Sequence, residues 1–187
     1  MRRLFLALVA SSSVLFASGC SMMAPQYTTN IDNVQKLKDN GEFSAKVGKF
    51  DSDKNDANAN PISLRGSSLR SPYGDSYAEY VAEAIKQELS LAGKLKPTAD
   101  IEISGVLLKN DIDARGFSKA NGDIEVRFVV KKGLEVRYNQ IKTVHYEWES
   151  SFLGPVAIPR AQQEYPNLVR KLLEALLADP AFMQALK

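Results

Sequence analysis

The stretch IEVRFVVKKGLEVRYNQIKTVHYEW, residues 124–148, decides the fold class. Ile124, Val126, Phe128 and Val130 alternate with Glu125 and Arg127, and Lys131-Lys132-Gly133 turns the chain. Leu134, Val136 and Tyr138 then alternate with Glu135 and Arg137. Asn139-Gln140 reads as a second turn, after which Val144, Tyr146 and Trp148 alternate with His145, Glu147 and Glu149. A side-chain period of two marks a strand with one buried and one wet face. Three such runs joined by short turns predict an antiparallel meander.

C-terminal to it, a loop carrying Gly154, Pro155 and Pro159 leads to a helix. Tyr165, Leu168, Val169, Leu172, Leu173, Leu176 and Leu177 form its apolar face, and Pro166 fits a first turn or a kink. Asp179-Pro180 ends the helix, and Ala181 to Lys187 adds a short turn. On the N-terminal side, Ile101 to Leu108 alternates up to Gly105, where a bulge is expected, and Asn110 to Gly122 reads as a polar loop. Ser76-Tyr77-Ala78-Glu79 has the spacing of a capping box. It opens a helix with Ala78, Val81, Ile85, Leu89 and Ala92 on one face, which Gly93 stops. Phe43, Ala45 and Val47 suggest a first strand ending near Phe50, residues 51–61 a loop, and Ile62 and Leu64 a short strand leading to Gly66. The expected class is α+β: one antiparallel sheet of four to five strands with two helices packed on one face.

The N-terminus predicts location. Arg2 and Arg3 precede an apolar run from Leu4 to Phe16, then Ala17-Ser18-Gly19 and Cys20, the only cysteine. A positive start, a short apolar core and a small-residue end are the parts of a secretory signal. Thirteen residues are too few to span a bilayer core, which needs about 20. The expected organisation is a signal peptide over 1–19 cut between Gly19 and Cys20, a lipidated N-terminus and tether over 20–40, and one α+β domain over 41–187. With Cys20 lipidated, no intrachain disulfide can form, so the fold must rest on its core.

The chain has 24 basic and 22 acidic residues, and loss of Arg2 and Arg3 with the signal brings the two into balance. Without a basic excess, nucleic acid is not an expected partner. No Gly-rich phosphate loop is present, so neither a nucleotide nor any other cofactor is expected.

Three segments carry a family likeness: the lipobox Ala17-Ser18-Gly19-Cys20, the run SPYGDSYAEY from Ser71 to Tyr80, and HYEWESSF from His145 to Phe152. With the order of elements, they resemble the small α+β outer-membrane lipoproteins of bacteria. The lipopolysaccharide-assembly lipoprotein, the YajG-type lipoproteins and the auxiliary lipoproteins of lipid-transport systems are similar. The likeness implies a diacylglyceryl thioether on Cys20 and an acylated amine. Ser21, rather than Asp, after the cysteine implies the outer membrane, facing the periplasm. No catalytic set comes with it.

No catalytic residue is expected from the remaining chemistry. His145 is the only histidine, there is no nucleophile elbow, and Glu147 and Glu149 read as a solvated pair rather than a glycosidase pair. Asp51, Asp53, Asn55 and Asp56 resemble the start of a calcium loop, but its sixth and twelfth positions hold Asp56 and Ile62 instead of Gly and Glu, so no metal site is expected. Trp148 and Phe152 read as core or rim. Arg70, Tyr73, Gly74, Asp75 and Tyr77, around the capped helix start, are the candidate contacts for a partner or ligand. The expected function is a non-enzymatic interaction or assembly module of the cell envelope. It would hold the membrane through the lipid on Cys20 and present a sheet edge, or the loops 71–75 and 154–159, to an envelope protein. The alternative is a periplasm-facing binder of a lipid, glycan or peptidoglycan fragment.

Overall fold

The structure is a computed structural model and describes residues 21–187; Cys20, Gly19 and the signal segment lie outside the described residues. In chain order the elements are β1 (Ser21–Met23), α1 (Ile31–Asp39), β2 (Ala45–Ser52), β3 (Ile62–Leu64), β4 (Ser67–Arg70), α2 (Tyr77–Leu91), β5 (Ile101–Asp113), β6 (Lys119–Lys132), β7 (Glu135–Glu149), α3 (Gly154–Leu177) and α4 (Pro180–Ala185).

The class is α+β, but with two sheets and four helices rather than one sheet and two. The larger sheet has the order β2-β5-β6-β7 and the smaller β1-β4-β3. The larger one is mixed, since β2 runs parallel to β5 while β5, β6 and β7 are antiparallel. A strand–helix–strand connection through α2 allows that parallel pairing, which no tight turn could make.

The expected three-strand meander is a two-strand hairpin. Asn139-Gln140 does not turn: β7 runs unbroken for fifteen residues, and Val129↔Asn139 and Phe128↔Gln140 sit within one ladder. Tyr138 and Val144 have the same parity, so a single strand keeps Tyr138, Val144, Tyr146 and Trp148 on one face. The expected loop 110–122 is likewise mostly strand, β5 reaching Asp113 and β6 starting at Lys119.

Gly105 carries no bulge and pairs in register with Phe128. Its role is space, because a Cβ there would lie 2.6 Å from the Phe50 ring and 2.8 Å from the Arg127 carbonyl oxygen. In the β5–β6 ladder the irregularity falls instead between Leu107 and Lys109, and in the β2–β5 ladder the extra residue is on β2, between Val47 and Phe50, with Phe50 opposite Gly105.

Ile62–Leu64 is a strand as expected, but it pairs with β4 through a two-residue turn at Arg65-Gly66. Both residues have positive φ, 49° and 86°, the geometry that matches the twist of a tight hairpin. The predicted apolar faces of α2 and α3 are buried, and Ser76 caps α2 by accepting from the Glu79 amide. α3 starts at Gly154 and runs through Pro159 and Pro166, so the segment expected as a loop is its first turns.

The largest correction concerns 21–40. The segment expected as a tether is folded: Ala24, Tyr27, Val34 and Leu37 are buried in the common core. Asn30 caps α1 and its amide side chain also donates to Glu174, while the Tyr80 hydroxyl donates to the Pro25 carbonyl. Tyr27 and the alternation of Val34 with Leu37 supply enough apolar surface to dock the segment over α2 and α3.

Candidate functional site

The sequence-predicted contacts divide by burial. Tyr77 is 1% exposed and its hydroxyl donates to the Leu69 carbonyl at 2.7 Å, so it belongs to the core and cannot meet a partner as expected. Tyr80 and Tyr165 pack against it or each other with ring centroids 4.9–5.0 Å apart, and Tyr73 meets Tyr80 edge-on at 5.2 Å. The Tyr73 hydroxyl accepts from the Tyr27 amide at 3.3 Å. Tyrosines suit this place because the rings fill the helix–sheet interior while the hydroxyls find partners, the backbone for Tyr73, Tyr77 and Tyr80 and the Asn110 side-chain oxygen for Tyr165. Arg70 and Asp75 remain at the surface and pair at 3.4 Å. Gly74 and Asp75 adopt left-handed φ of 59° and 56°, and the Asp75 carbonyl accepts from Asn60 at 2.9 Å.

The second cluster is centred on Arg65, which the sequence reading did not single out. Its guanidinium donates to the carbonyls of Ala114 and Gly116 in the β5–β6 turn and of Ser151 and Phe152 in the β7–α3 loop. One side chain thus ties three chain reversals into a single tip, and these contacts hold Arg65 in a φ region that non-glycine residues rarely adopt. Phe117 and Phe152 project from this tip and stack face to face, 5.0 Å apart and 12° from parallel. They are 77% and 61% exposed, and Leu153 and Val156 beside them are also exposed. Trp148 is buried as expected, but Phe152 is on the surface, beyond the last residue of β7. Phe117 had one readable sign: a large aromatic in the polar run Arg115-Gly116-Phe117-Ser118-Lys119, on no periodic face.

The third feature is the edge strand β7, which among the described residues pairs only with β6. On its solvent face His145 meets Asp123 at 2.9 Å, Lys109 meets Asp123 at 3.3 Å, and Lys119 meets Glu147 at 3.1 Å. Burial acts to raise the Asp123 carboxyl, but the hydrogen bonds from His145 and Lys109 outweigh it and hold the group below its ordinary range. These side chains satisfy one another on an open face.

The residues of the calcium-like run are engaged with partners of their own. Asp51 pairs with Lys49, and Asn55 is bound to Asp53, Leu108 and Ala57. Among the described residues no group of three His, Cys, Asp or Glu side chains converges, and no helix is long and apolar enough to cross a membrane. The gap between helices and sheet, lined by Leu37, Ile85, Ile103, Leu173 and Phe182, measures about 20 Å³, room for roughly one water molecule.

No family model matches the chain, and no curated protein matches it by sequence. Its fold is similar to that of protein XCC0632 from Xanthomonas campestris, of the DUF330 family, at 14% identity and a TM-score of 0.60 over 89% of this chain and 97% of that one. Weaker likenesses are to the hypothetical protein CT253 from Chlamydia trachomatis (11% identity, TM-score 0.48, 74% of this chain and 95% of that one). Another is to a protein described as a "putative lipoprotein" from Caulobacter crescentus CB15 (12% identity, TM-score 0.46, 82% and 96%). The first of these shows that the overall fold is shared.

Proposed function

We propose that this chain is a lipid-anchored envelope lipoprotein, seated in the outer membrane and facing the periplasm, that acts as a non-enzymatic accessory module by offering β7 to a protein partner. The observation carrying this reading is the open edge of β7: fifteen residues with a ladder on one side only. An exposed strand of that length recruits a partner strand through main-chain hydrogen bonds. Its charged residues, among them Glu135, Arg137, Glu147 and Glu149, discourage indiscriminate pairing and favour a partner of complementary charge. The lipobox ending in Gly19-Cys20 supports export and anchoring, and Ser21 supports the outer membrane. The likeness to transport-auxiliary, YajG-type and lipopolysaccharide-assembly lipoproteins belongs to the same reading. Arg70 and Asp75, at the end of β4 and in the turn before α2, are not part of this edge.

The test is in-cell photo-crosslinking of the full-length protein from Ile141 and Thr143 on β7, followed by capture and mass spectrometry. A Cys20→Ser chain lacking the lipid is the control. One dominant envelope protein, trapped from β7 and lost without the anchor, is the expected outcome. Equal trapping from Lys38 on α1, or none from β7, would overturn the edge-strand assignment.

A further inference from the structure

The residue that follows the lipidation site lies at the apolar tip. Ser21 pairs with Ser68, two residues beyond the Arg65-Gly66 turn, and Met23 with Arg70. The chain is fixed there from its first described residues: the Ala24 amide donates to the Arg70 carbonyl at 2.8 Å, and Gln162 donates to the Met23 carbonyl at 2.7 Å. No spacer therefore separates position 20 from the folded body. An acyl group on Cys20 would hold this end of the molecule, and no other, against the bilayer.

The same end carries the exposed apolar cluster. Arg65, at the turn beside Ser67 and Ser68, binds the carbonyl oxygens of Gly116 and Phe152, which neighbour Phe117 and Leu153 along the chain. Phe117, Phe152, Leu153 and Val156 are four of the large apolar side chains that the fold leaves exposed. The exposed cations around them are already matched: Arg115 by Asp113, Lys119 by Glu147 and Arg160 by Glu164. An apolar tip whose neighbouring cations are paired fits the acyl–headgroup boundary, where buried apolar area rather than lipid charge supplies the attraction.

We propose that Phe117, Phe152, Leu153 and Val156 form a membrane-docking surface that inserts beside the acylated Cys20 and fixes the orientation of the domain. This inference rests on the lipidation reading. β6 and β7 then rise from the bilayer. The fourteen residues of β6 span roughly 45 Å at about 3.3 Å per residue, so the Gly133-Leu134 turn sits at the far end. The edge of β7 consequently stands across the periplasmic space rather than flat on the lipid. Acyl chains on one residue hold a protein at a membrane but leave it free to tumble; a second, apolar contact removes that freedom.

The test uses the full-length lipidated protein in vesicles of phosphatidylethanolamine and phosphatidylglycerol containing brominated lipid. Acylation leaves no free native thiol, so Ser118→Cys at the tip and Leu134→Cys at the far turn each take a single bimane label, with the apolar tip residues intact in the first. The Ser118 label is expected to lose most of its fluorescence to the brominated lipid, and the Leu134 label almost none. Added salt should leave this pattern unchanged. Phe117→Asp with Phe152→Asp, both at exposed sites, should restore the Ser118 signal while circular dichroism and the lipid mass on Cys20 stay as before.

Several results would overturn the proposal. Equal quenching at both labels, or quenching that survives the double aspartate change, would show an anchored domain with no docked tip. Protection of the Ser118 label that tracks protein concentration in lipid-free detergent would give the patch to a second copy. An intact mass without acyl groups would overturn the anchor, and this inference with it.

Discussion

The Tyr27 hydroxyl donates to the Glu88 carboxylate, joining two side chains that lie 61 residues apart and are both buried. The same carboxylate oxygen accepts from the Asn30 amide at 3.0 Å and from the Asn33 side chain at 3.4 Å. One acid on α2 therefore fastens the segment 27–33 to the domain. Glu88→Ala leaves those donors buried without an acceptor, and hydrogen bonds to charged groups are worth about 1.5–3 kcal/mol each before the penalty for an unpaired group. The expected loss in urea denaturation is roughly 2–4 kcal/mol, with new protease cuts between residues 24 and 40. Unchanged stability and an uncut N-terminal segment would show that contacts other than Glu88 hold it, such as the Tyr80 hydroxyl on the Pro25 carbonyl.

Six tyrosines share a second consequence. Burial, with a neighbouring carboxylate in some cases, holds Tyr27, Tyr77, Tyr80, Tyr138, Tyr146 and Tyr165 above the ordinary phenol value of 10. Above pH 10 the unfolded chain gives up these protons while the folded chain keeps them. Stability is thus fully present below pH 10 and falls as pH rises, by up to about 1.4 kcal/mol per pH unit for each group. The expected behaviour is a cooperative alkaline unfolding in which absorbance at 295 nm and loss of ellipticity coincide. Gradual phenolate formation in a chain that keeps its ellipticity would contradict it.

Asp179 sets the acid side. It ends α3, caps α4 by accepting from the Ala181 amide, and accepts from Lys142 at 2.7 Å and Tyr138 at 2.8 Å. The Lys142 hydrogen bond foremost, against some desolvation, lowers its carboxyl to about 2. Its contribution is present above the ordinary carboxylate value near 4 and is lost as pH falls toward 2. Asp179→Asn is expected to cost about 2 kcal/mol at neutral pH, and the deficit should close in that acid window. A deficit that persists at pH 2 would point to the α4 cap rather than the ion pair.

Gly105 makes the next prediction. Gly105→Ala would drive a methyl group into the Phe50 ring and toward the Arg127 carbonyl. The ring can shift only by disturbing its edge contact with Phe128, whose centroid is 6.2 Å away. Overpacking of this kind costs about 1–3 kcal/mol. Phe50→Leu in the same chain should recover part of that loss, since the backbone contact remains. Additive losses in the double-mutant cycle would show that the two residues are not coupled.

Period and capping made the interiors of α2, α3 and β6 legible, because each buries one continuous face that the sequence writes as a repeat. What escaped was decided by partners distant along the chain. Tyr27 is a lone aromatic among small polar residues, and its reason for burial is Glu88 on α2, 61 residues away. Asn139-Gln140 has turn-forming composition, but fourteen residues of β6 pair past it and override the local preference. Gly105 has the look of a bulge, yet it serves the Phe50 ring on β2. Among the candidate contacts, Tyr77 is core for a related reason. A tyrosine beside a helix cap reads equally well as a contact or as core, and Tyr165 on α3 makes Tyr77 core. Arg65 and Phe117 sit in turns, where no periodicity speaks.

Arg65 is where fold and proposed membrane contact meet. From its own turn its side chain replaces the bonds that two other chain reversals would otherwise make to water, and its left-handed backbone is tolerable only while those bonds hold. Arg65→Asn keeps a residue suited to positive φ but cannot reach four carbonyls. It should leave the global denaturation midpoint within about 1 kcal/mol of the parent, since the turn itself improves as the contacts vanish. The change belongs in local dynamics: amide exchange at 114–118 and 150–153 should accelerate together, while β6 and β7 stay protected. Arg65→Lys should behave like Arg65→Asn, because a single ammonium cannot span the carbonyl set that the planar guanidinium binds. Faster exchange in only one of the two loops would mean that they are held independently, and that Arg65 is not what unites the tip.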